Sequence, residues 1–311
     1  MAPKVLIVLP PVLAGQMASL FTAAGMQAFV HGRDSYVLEA IEYVVSFRPP
    51  PGLLATLPRL KTMLSLGAGV DGFLADPHLP RHIPLVRFVD HTLSQEMAQY
   101  VVMHVLIHHR LQRMFDTAQQ AREWRQTMLP RRTAETRVGI LGIGEIGSVV
   151  ANHLVPLGFT VNGWSRARKE VAGVRNFAGA EQRDAFLSQS DILVCLLPLT
   201  ADTSGIMNAA FFTRLPKDAF VINVARGGHL VDDDLIAALD SGHLSGAALD
   251  VFHIEPLPPL SPLWRHPKIT VTPHIAAISD PGAGARYMID CIRLAEAGKP
   301  LPNIVDLSRG Y

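Results

Sequence analysis

The chain has 311 residues, 49% of them hydrophobic and 18% charged, a balance that supports packed cores and excludes general disorder. Its 28 Lys and Arg against 27 Asp and Glu leave a formal net charge of +1, which excludes a protein whose main work is neutralising nucleic-acid phosphates. Two cysteines, Cys195 and Cys291, are too few for a disulfide framework or an all-cysteine metal cage, and they fit a reducing compartment such as the cytoplasm.

The amino end begins with a short apolar run, Val5 to Leu9, broken by Pro10 and Pro11 before a signal-peptide core forms, so it reads as a strand. Further strands are expected at Tyr43 to Phe47, Thr62 to Ser65 and Leu85 to Val89, each followed by turn residues or a helix. Residues 92 to 117 carry apolar side chains near a 3.6-residue period and predict one long linking helix. After an Arg-rich connection from Arg122 to Arg137, strands are expected at Arg137 to Leu141, Thr160 to Trp164, Ile192 to Leu196, Ala219 to Asn223, Gly246 to Leu249 and Ile269 to Val271. Residues 283 to 297 predict a final helix ended by Gly298 and Pro300. Strands alternating with helices imply an α/β protein with two doubly wound parallel-sheet domains. The first is expected to be discontinuous, residues 1–98 plus 284–311, and the second to hold residues 99–283. Every apolar run is interrupted well short of the roughly 20 residues that span a bilayer, so no membrane role is expected.

Gly142, Gly144 and Gly147 follow an apolar strand and open the helix expected over Glu145 to Leu157. In that context the spacing suits a dinucleotide: a tight turn, close backbone approach to a pyrophosphate, and close helix–strand packing, with the Glu145 and Ile146 amides facing the phosphates. The next strand ends in Trp164-Ser165-Arg166, where an NAD-binding unit usually carries an acid for the ribose hydroxyls. A carboxylate there repels a 2′-phosphate. Arg166, helped by Ser165 and by Arg168 or Lys169, binds it through charge-assisted hydrogen bonds, so NADPH is favoured over NADH; the alternative is a solvated basic loop.

Three more segments place ionisable groups after apolar strands: Asn223-Val-Ala-Arg226, Asp250-Val-Phe-His-Ile-Glu255-Pro and Thr272-Pro-His274. Taken singly, each also fits a surface histidine, an ion-pair arginine or a loop-capping acid. Together with Leu66-Gly-Ala-Gly-Val-Asp71, the glycine turn and Leu197-Pro-Leu-Thr200, in this order along nearly the whole chain, they resemble the D-isomer-specific 2-hydroxyacid dehydrogenase family. Trp164-Ser-Arg166, Glu255-Pro-Leu-Pro, Ser261-Pro-Leu-Trp264 and the terminal Arg309-Gly-Tyr311 resemble its bacterial glyoxylate/hydroxypyruvate reductase A group in particular.

The resemblance implies a flavodoxin-like substrate domain and a Rossmann cofactor domain, joined by helices that act as a hinge, and a cytoplasmic homodimer formed through the cofactor domain. It implies NADPH-dependent reduction of glyoxylate and hydroxypyruvate to glycolate and D-glycerate, with no metal. Arg226 is expected to hold the small 2-keto acid, His274 to donate the proton, and Glu255 to orient and charge the His274 ring while the nicotinamide gives hydride. A fixed cation and a protonated imidazole interact more strongly with the developing alkoxide than with the ketone. Less specific positions are also carried over. The amides of Gly69 and Val70 are implied for the substrate carboxylate, and Trp264 for the wall of the substrate pocket or a subunit contact. Leu197, Pro198, Thr203, Val224, Ala225, Asp250, His274 and Ala276 are implied for the cofactor. Where the group more often has Trp-His, this chain has Phe47-Arg48. Phosphoglycerate dehydrogenases, a broader 2-keto acid reductase and a non-catalytic nucleotide-sensing protein are the competing readings. Formate dehydrogenases of the family carry glutamine in place of Glu255.

Overall fold

The computed structural model describes residues 2–89 and 91–310; Met1, Asp90 and Tyr311, the last residue of the terminal Arg309-Gly-Tyr311 motif, lie outside the described residues. The chain divides into two compact units, residues 1–93 with 279–311, and residues 94–278.

In the first unit, β1 (Lys4–Val8), β2 (Gln27–Val30), β3 (Tyr43–Ser46), β4 (Thr62–Ser65) and β5 (Leu85–Arg87) form a parallel sheet in the order β2-β1-β3-β4-β5. Alternation sorts its side chains onto two faces. Val5, Ile7, Tyr43, Val45 and Leu64 join one buried cluster with Met17, Phe21, Met288 and Ile292 from helices α1 (Pro11–Ala23) and, at the end of the chain, Pro281–Glu296. Leu6, Val44 and Met63 join another, with Phe73 of the short helix α2 (Asp71–Leu74). The carboxyl-terminal helix starts where Asp280 accepts a hydrogen bond from the Ala283 amide at 2.7 Å, with Pro281 as its first residue.

The second unit holds β6 (Arg137–Leu141), β7 (Thr160–Ser165), β8 (Val174–Ala178), β9 (Ile192–Cys195), β10 (Ala219–Asn223), β11 (Leu244–Leu249) and β12 (Ile269–Val271), all parallel. Their order, β12-β11-β10-β9-β6-β7-β8, reverses direction between β6 and β9, the topological switch point at which open α/β sheets bind dinucleotides. The interior strands are almost wholly buried, because helices cover both faces.

Three sequence expectations change. Strands β2 and β8 were not expected, because both lie at sheet edges and their sequences, Gln-Ala-Phe-Val and Val-Arg-Asn-Phe-Ala, carry the exposed positions of an edge instead of an apolar run. The single linking helix over 92–117 is two, α3 (His91–His109) and α4 (Gln112–Gln120), separated at Leu111, whose φ of 58° breaks the helical path. The helix after the glycine turn, α5, covers Glu145–Leu154; the remaining residues, Val155–Leu157, form a tighter turn containing Pro156 and ending at left-handed Gly158.

On α3, His108 stacks on Phe220 of β10 with ring centroids 4.2 Å apart. Burial, and then the charge on neighbouring His109, push its pKa from 6.5 down to about 4. The unfolded imidazole protonates first, so this contribution to stability is complete above about pH 6.5 and lost as pH falls towards 4, about 3 kcal/mol in all. Melting temperatures taken between pH 7 and 4.5 are expected to fall, and His108→Leu to flatten that fall; an unchanged slope in the variant contradicts the assignment.

Candidate active site

Strand register decides where the functional loops meet. Trp164, Leu141, Cys195, Asn223, Leu249 and Val271 are successive register partners across β7, β6, β9, β10, β11 and β12. Parallel pairing therefore releases the motifs of this unit's strands at one sheet edge: Ser165, Gly142, Leu196, Val224, Asp250 and Thr272 are the residues that follow. Cys195 sits in this row fully buried, its thiol pushed up to about 12, which makes it packing and not a nucleophile.

At the glycine turn, the Gly142 and Ile143 amides donate to the Trp164 carbonyl at 2.9 and 3.1 Å, and Gly142 takes a φ of 111° that disfavours other residues. A Cβ on Gly147 would overlap the Gly142 carbonyl oxygen, which is the close helix–strand packing the spacing implied. Gly144 differs: a Cβ there meets nothing within 4 Å. That open space lies at the amino end of α5, where backbone N–H groups and the helix dipole favour anionic oxygen, so the turn fits a dinucleotide pyrophosphate. Glu145 is exposed and Ile146 partly buried on the first turn.

Beyond β7, Arg166, Arg168 and Lys169 are exposed, and the Ser165 hydroxyl donates to the Ala167 carbonyl at 2.7 Å, tying the loop that carries Arg166. Trp164 precedes that loop within β7. Its ring is buried in the core and its Nε1 donates to the Gly179 carbonyl at 2.8 Å, so its part in the turn is played by the backbone carbonyl. Thr203 is likewise occupied, its hydroxyl donating to the Pro198 carbonyl at 2.7 Å and accepting from the Thr200 amide at 2.8 Å; it shapes the loop that Leu197 and Pro198 begin.

Arg226 follows β10 through Val224 and Ala225, both buried, which leaves their backbone as the part that can meet a ligand. The partly exposed Arg226 donates through Nη1 to the Ala225 carbonyl at 2.6 Å. Two residues that sequence reasoning missed brace this turn. Asn223, fully buried, donates from Nδ2 to the Arg226 carbonyl at 3.0 Å and accepts from the Ala225 amide at 3.2 Å. His229, also fully buried, sets Nδ1 3.1 Å from the Arg226 carbonyl and Nε2 3.2 Å from the Pro198 carbonyl, linking the arginine turn to the Leu197 loop. The available signal was a polar residue closing the apolar strand Ala-Phe-Val-Ile-Asn. Gly227 joins the next loop: a Cβ there would overlap the Phe252 carbonyl carbon.

The Glu255 carboxylate accepts from the Phe252 amide at 2.9 Å through Oε1, and its Oε2 lies 2.8 Å from His274 Nδ1. A carboxylate only accepts, so Nδ1 carries the proton and Nε2 is the nitrogen that can serve a ligand. His274 has a φ of 55°, an uncommon backbone state for a residue with a side chain and one that clusters at functional sites. Asp250 holds that state. It is buried, its carbonyl accepts from the His274 amide at 2.8 Å, and its two carboxylate oxygens accept from the Ile275 and Ala276 amides at 2.9 and 2.8 Å. The resemblance implied Asp250 and Ala276 for the cofactor; both also shape the His274 loop. Trp264, about half exposed, donates from Nε1 to the Pro258 carbonyl at 3.0 Å.

In the first unit, the loop after β4 is tied by the Ser65 hydroxyl, which donates to the Gly67 and Gly69 carbonyls at 3.1 and 3.2 Å. The Val70 side chain is buried, so only its backbone can meet an anion, and Phe47 packs against Gly67. Arg48 is exposed, 4.0 Å from Asp71.

The NAD-binding domain of the D-isomer specific 2-hydroxyacid dehydrogenases matches residues 102–276. Glyoxylate/hydroxypyruvate reductase A of Serratia proteamaculans is 44% identical over 275 residues, covering 87% of this chain and 88% of that protein; its namesake in Yersinia enterocolitica is 41% identical with the same coverage. Among solved structures, a D-isomer specific 2-hydroxyacid dehydrogenase from Xanthobacter autotrophicus Py2 in complex with NADPH and MES superposes with a TM-score of 0.93 at 42% identity over 100% of both chains. The NADPH-dependent glyoxylate/hydroxypyruvate reductase of Sinorhizobium meliloti in complex with NADP and sulfate gives 0.91 at 40% identity, over 99% of this chain and 100% of that one. Motif order, sheet topology and these likenesses agree: the chain belongs to the D-isomer specific 2-hydroxyacid dehydrogenase family.

Proposed function

We propose that this protein reduces small 2-keto acids, glyoxylate and hydroxypyruvate, with NADPH. The observation that carries the proposal is the 2.8 Å contact between His274 Nδ1 and Glu255, beside the Arg226 turn on the sheet edge that also bears the glycine turn. NADPH, when bound, supplies the hydride. Arg226 holds the keto acid through its fixed, planar cation, and His274 gives its Nε2 proton to the carbonyl oxygen as negative charge develops there. Glu255 fixes the ring through its contact with Nδ1. The relatives named for glyoxylate and hydroxypyruvate support the substrate class, and those solved with NADPH or NADP support the cofactor.

Loss of NADPH absorbance on adding glyoxylate tests the activity. Two variants test the nucleotide assignment together. Gly144→Ala is expected to fold normally, because its methyl group meets no protein atom, yet to weaken NADPH and NADH alike. Arg166→Ala is expected to raise the KM for NADPH at least tenfold and that for NADH little, as a charge-assisted contact to the 2′-phosphate requires. Equal effects of Arg166→Ala on both cofactors remove it from the phosphate site.

We assign a homodimer and a cytoplasmic location. The segment after α4 exposes Trp124 at 93% and Met128 at 89% within a basic, extended stretch, apolar area that a second copy of the chain would cover. Light scattering is expected to give twice the chain mass for the wild type and a monomer for Trp124→Ser/Met128→Ser; a wild-type monomer rejects the assignment. Cys195 and Cys291, both free and buried, suit a reducing compartment, and among the described residues no helix is long and apolar enough to cross a membrane.

A further inference from the structure

Behind the His274 loop lies a buried polar chain that the reaction scheme leaves unused. Tyr100, on α3 and 8% exposed, places its hydroxyl 2.5 Å from Thr272 Oγ1, and Thr272 donates to Asp250 Oδ1 at 2.6 Å. The proton inventory closes in one direction only. Asp250 accepts from Thr272 and from the Ile275 and Ala276 amides, so Thr272 spends its proton on Asp250 and must accept from Tyr100. Burial pushes the Tyr100 phenol up to about 12, with the Asp250 charge adding to the shift, so it stays a donor. Its ring is held by His104, 4.4 Å away between centroids, whose own proton affinity burial lowers. Thr272 and His274 are separated by one proline, and the His274 amide is bound to the Asp250 carbonyl.

We propose that Tyr100 is a positioning residue for proton transfer: through Thr272 and Asp250 it fixes the backbone that holds His274 in its left-handed conformation. The inference rests on His274 as the proton donor. Tyr100 touches neither keto acid nor nicotinamide in this scheme, so its effect belongs to kcat. Without the phenol, Thr272 is free to rotate and Asp250 loses the restraint that aims it at the 275 and 276 amides. A hydrogen bond of ordinary strength then corresponds to a fall of about three- to tenfold.

The test is glyoxylate reduction by wild type, Tyr100→Phe, Thr272→Val, the double variant, His274→Ala and His274→Ala/Tyr100→Phe, each at saturating NADPH and with its melting temperature recorded. The expected result is a kcat three- to tenfold lower in Tyr100→Phe with KM for glyoxylate within twofold. The double variant should be no worse than Thr272→Val, because the two groups act in one chain, and Tyr100→Phe should have no effect on the residual rate of His274→Ala. A purely structural tyrosine would lower stability and reduce both backgrounds by the same factor, which overturns the proposal. So does a wild-type kcat in Tyr100→Phe. Should His274→Ala itself react at the wild-type rate, the reading of His274 falls and this inference with it; a slow His274→Ala beside an unaffected Tyr100→Phe rejects this inference alone.

Discussion

His274→Ala is expected to lower kcat for glyoxylate reduction by about 10²- to 10⁴-fold, the range in which a positioned general acid contributes. The geometry makes the expectation specific. Nδ1 is committed to Glu255 at 2.8 Å, so the ring presents one nitrogen to the substrate, and it can give a proton from that nitrogen only while it is an imidazolium. Glu255→Gln keeps the shape and can still accept one hydrogen bond but removes the carboxylate charge from the contact with His274 Nδ1. Losing a hydrogen bond between charged partners is worth about 1.5–3 kcal/mol, or about 10- to 150-fold in kcat. Steady-state kinetics on both variants measure the two effects. A His274→Ala enzyme as fast as wild type disproves the assignment of the proton donor.

Gly227→Ala is expected to be nearly as damaging without removing any chemical group. The added methyl has no room beside the Phe252 carbonyl, and backbone, not a flexible side-chain end, stands in its way. Either the Arg226 turn or the Phe252–Glu255 loop must move. The Phe252 amide is the donor that aims Glu255, at 2.9 Å, so a shift there misplaces Glu255 and hence His274, while a shift of the turn misplaces Arg226. Overpacking of this kind costs about 1–3 kcal/mol of stability. A displacement of about 1 Å in a catalytic constellation costs about a hundredfold in kcat/KM. Gly242→Ala is the matched control: with a φ of 74° it strains the chain by about 1–2 kcal/mol, yet its Cβ meets no neighbour within 4 Å and activity should survive. Thermal melting with kinetics on both variants decides the matter; full activity in Gly227→Ala would show that the two loops are not mechanically joined.

Much of the site was legible because its signals are local. The glycine spacing after β6 needed only an apolar strand followed by a turn to be recognised, and the polar residues after β10, β11 and β12 gained meaning from their order along the chain, which resembles the family's. The edge strands β2 and β8 lacked that signal, since solvent on one side admits the polar residues that an interior strand excludes. Residue roles were less legible than residue positions. Asp250 and Thr203, which the resemblance implied for the cofactor, and Trp164 also bond within the chain, and for Asp250 and Trp164 the partners are distant in sequence: Ile275 and Ala276 for the first, Gly179 for the second. His229 and Tyr100 gave no motif at all, and Asn223 only closed a motif's strand, because a lone polar residue in an apolar stretch does not announce which carbonyl or hydroxyl will pair with it.

The amino-acid sequence by itself determined the α/β class, the glycine turn and the lack of an acid in Trp164-Ser165-Arg166, since each of these is a matter of residue type and short spacing, while Arg226, Glu255 and His274 were singled out by the resemblance to the family. The tertiary structure alone decided that Leu141, Cys195, Asn223, Leu249 and Val271 stand in one register row, that Gly227 lies against Phe252, and that Asp250 grips the His274 loop. The physical reason is range. Backbone propensity and hydrophobic period act over a few residues, whereas register, close approach and the satisfaction of buried polar groups depend on segments that meet only after the sheet has closed its ranks.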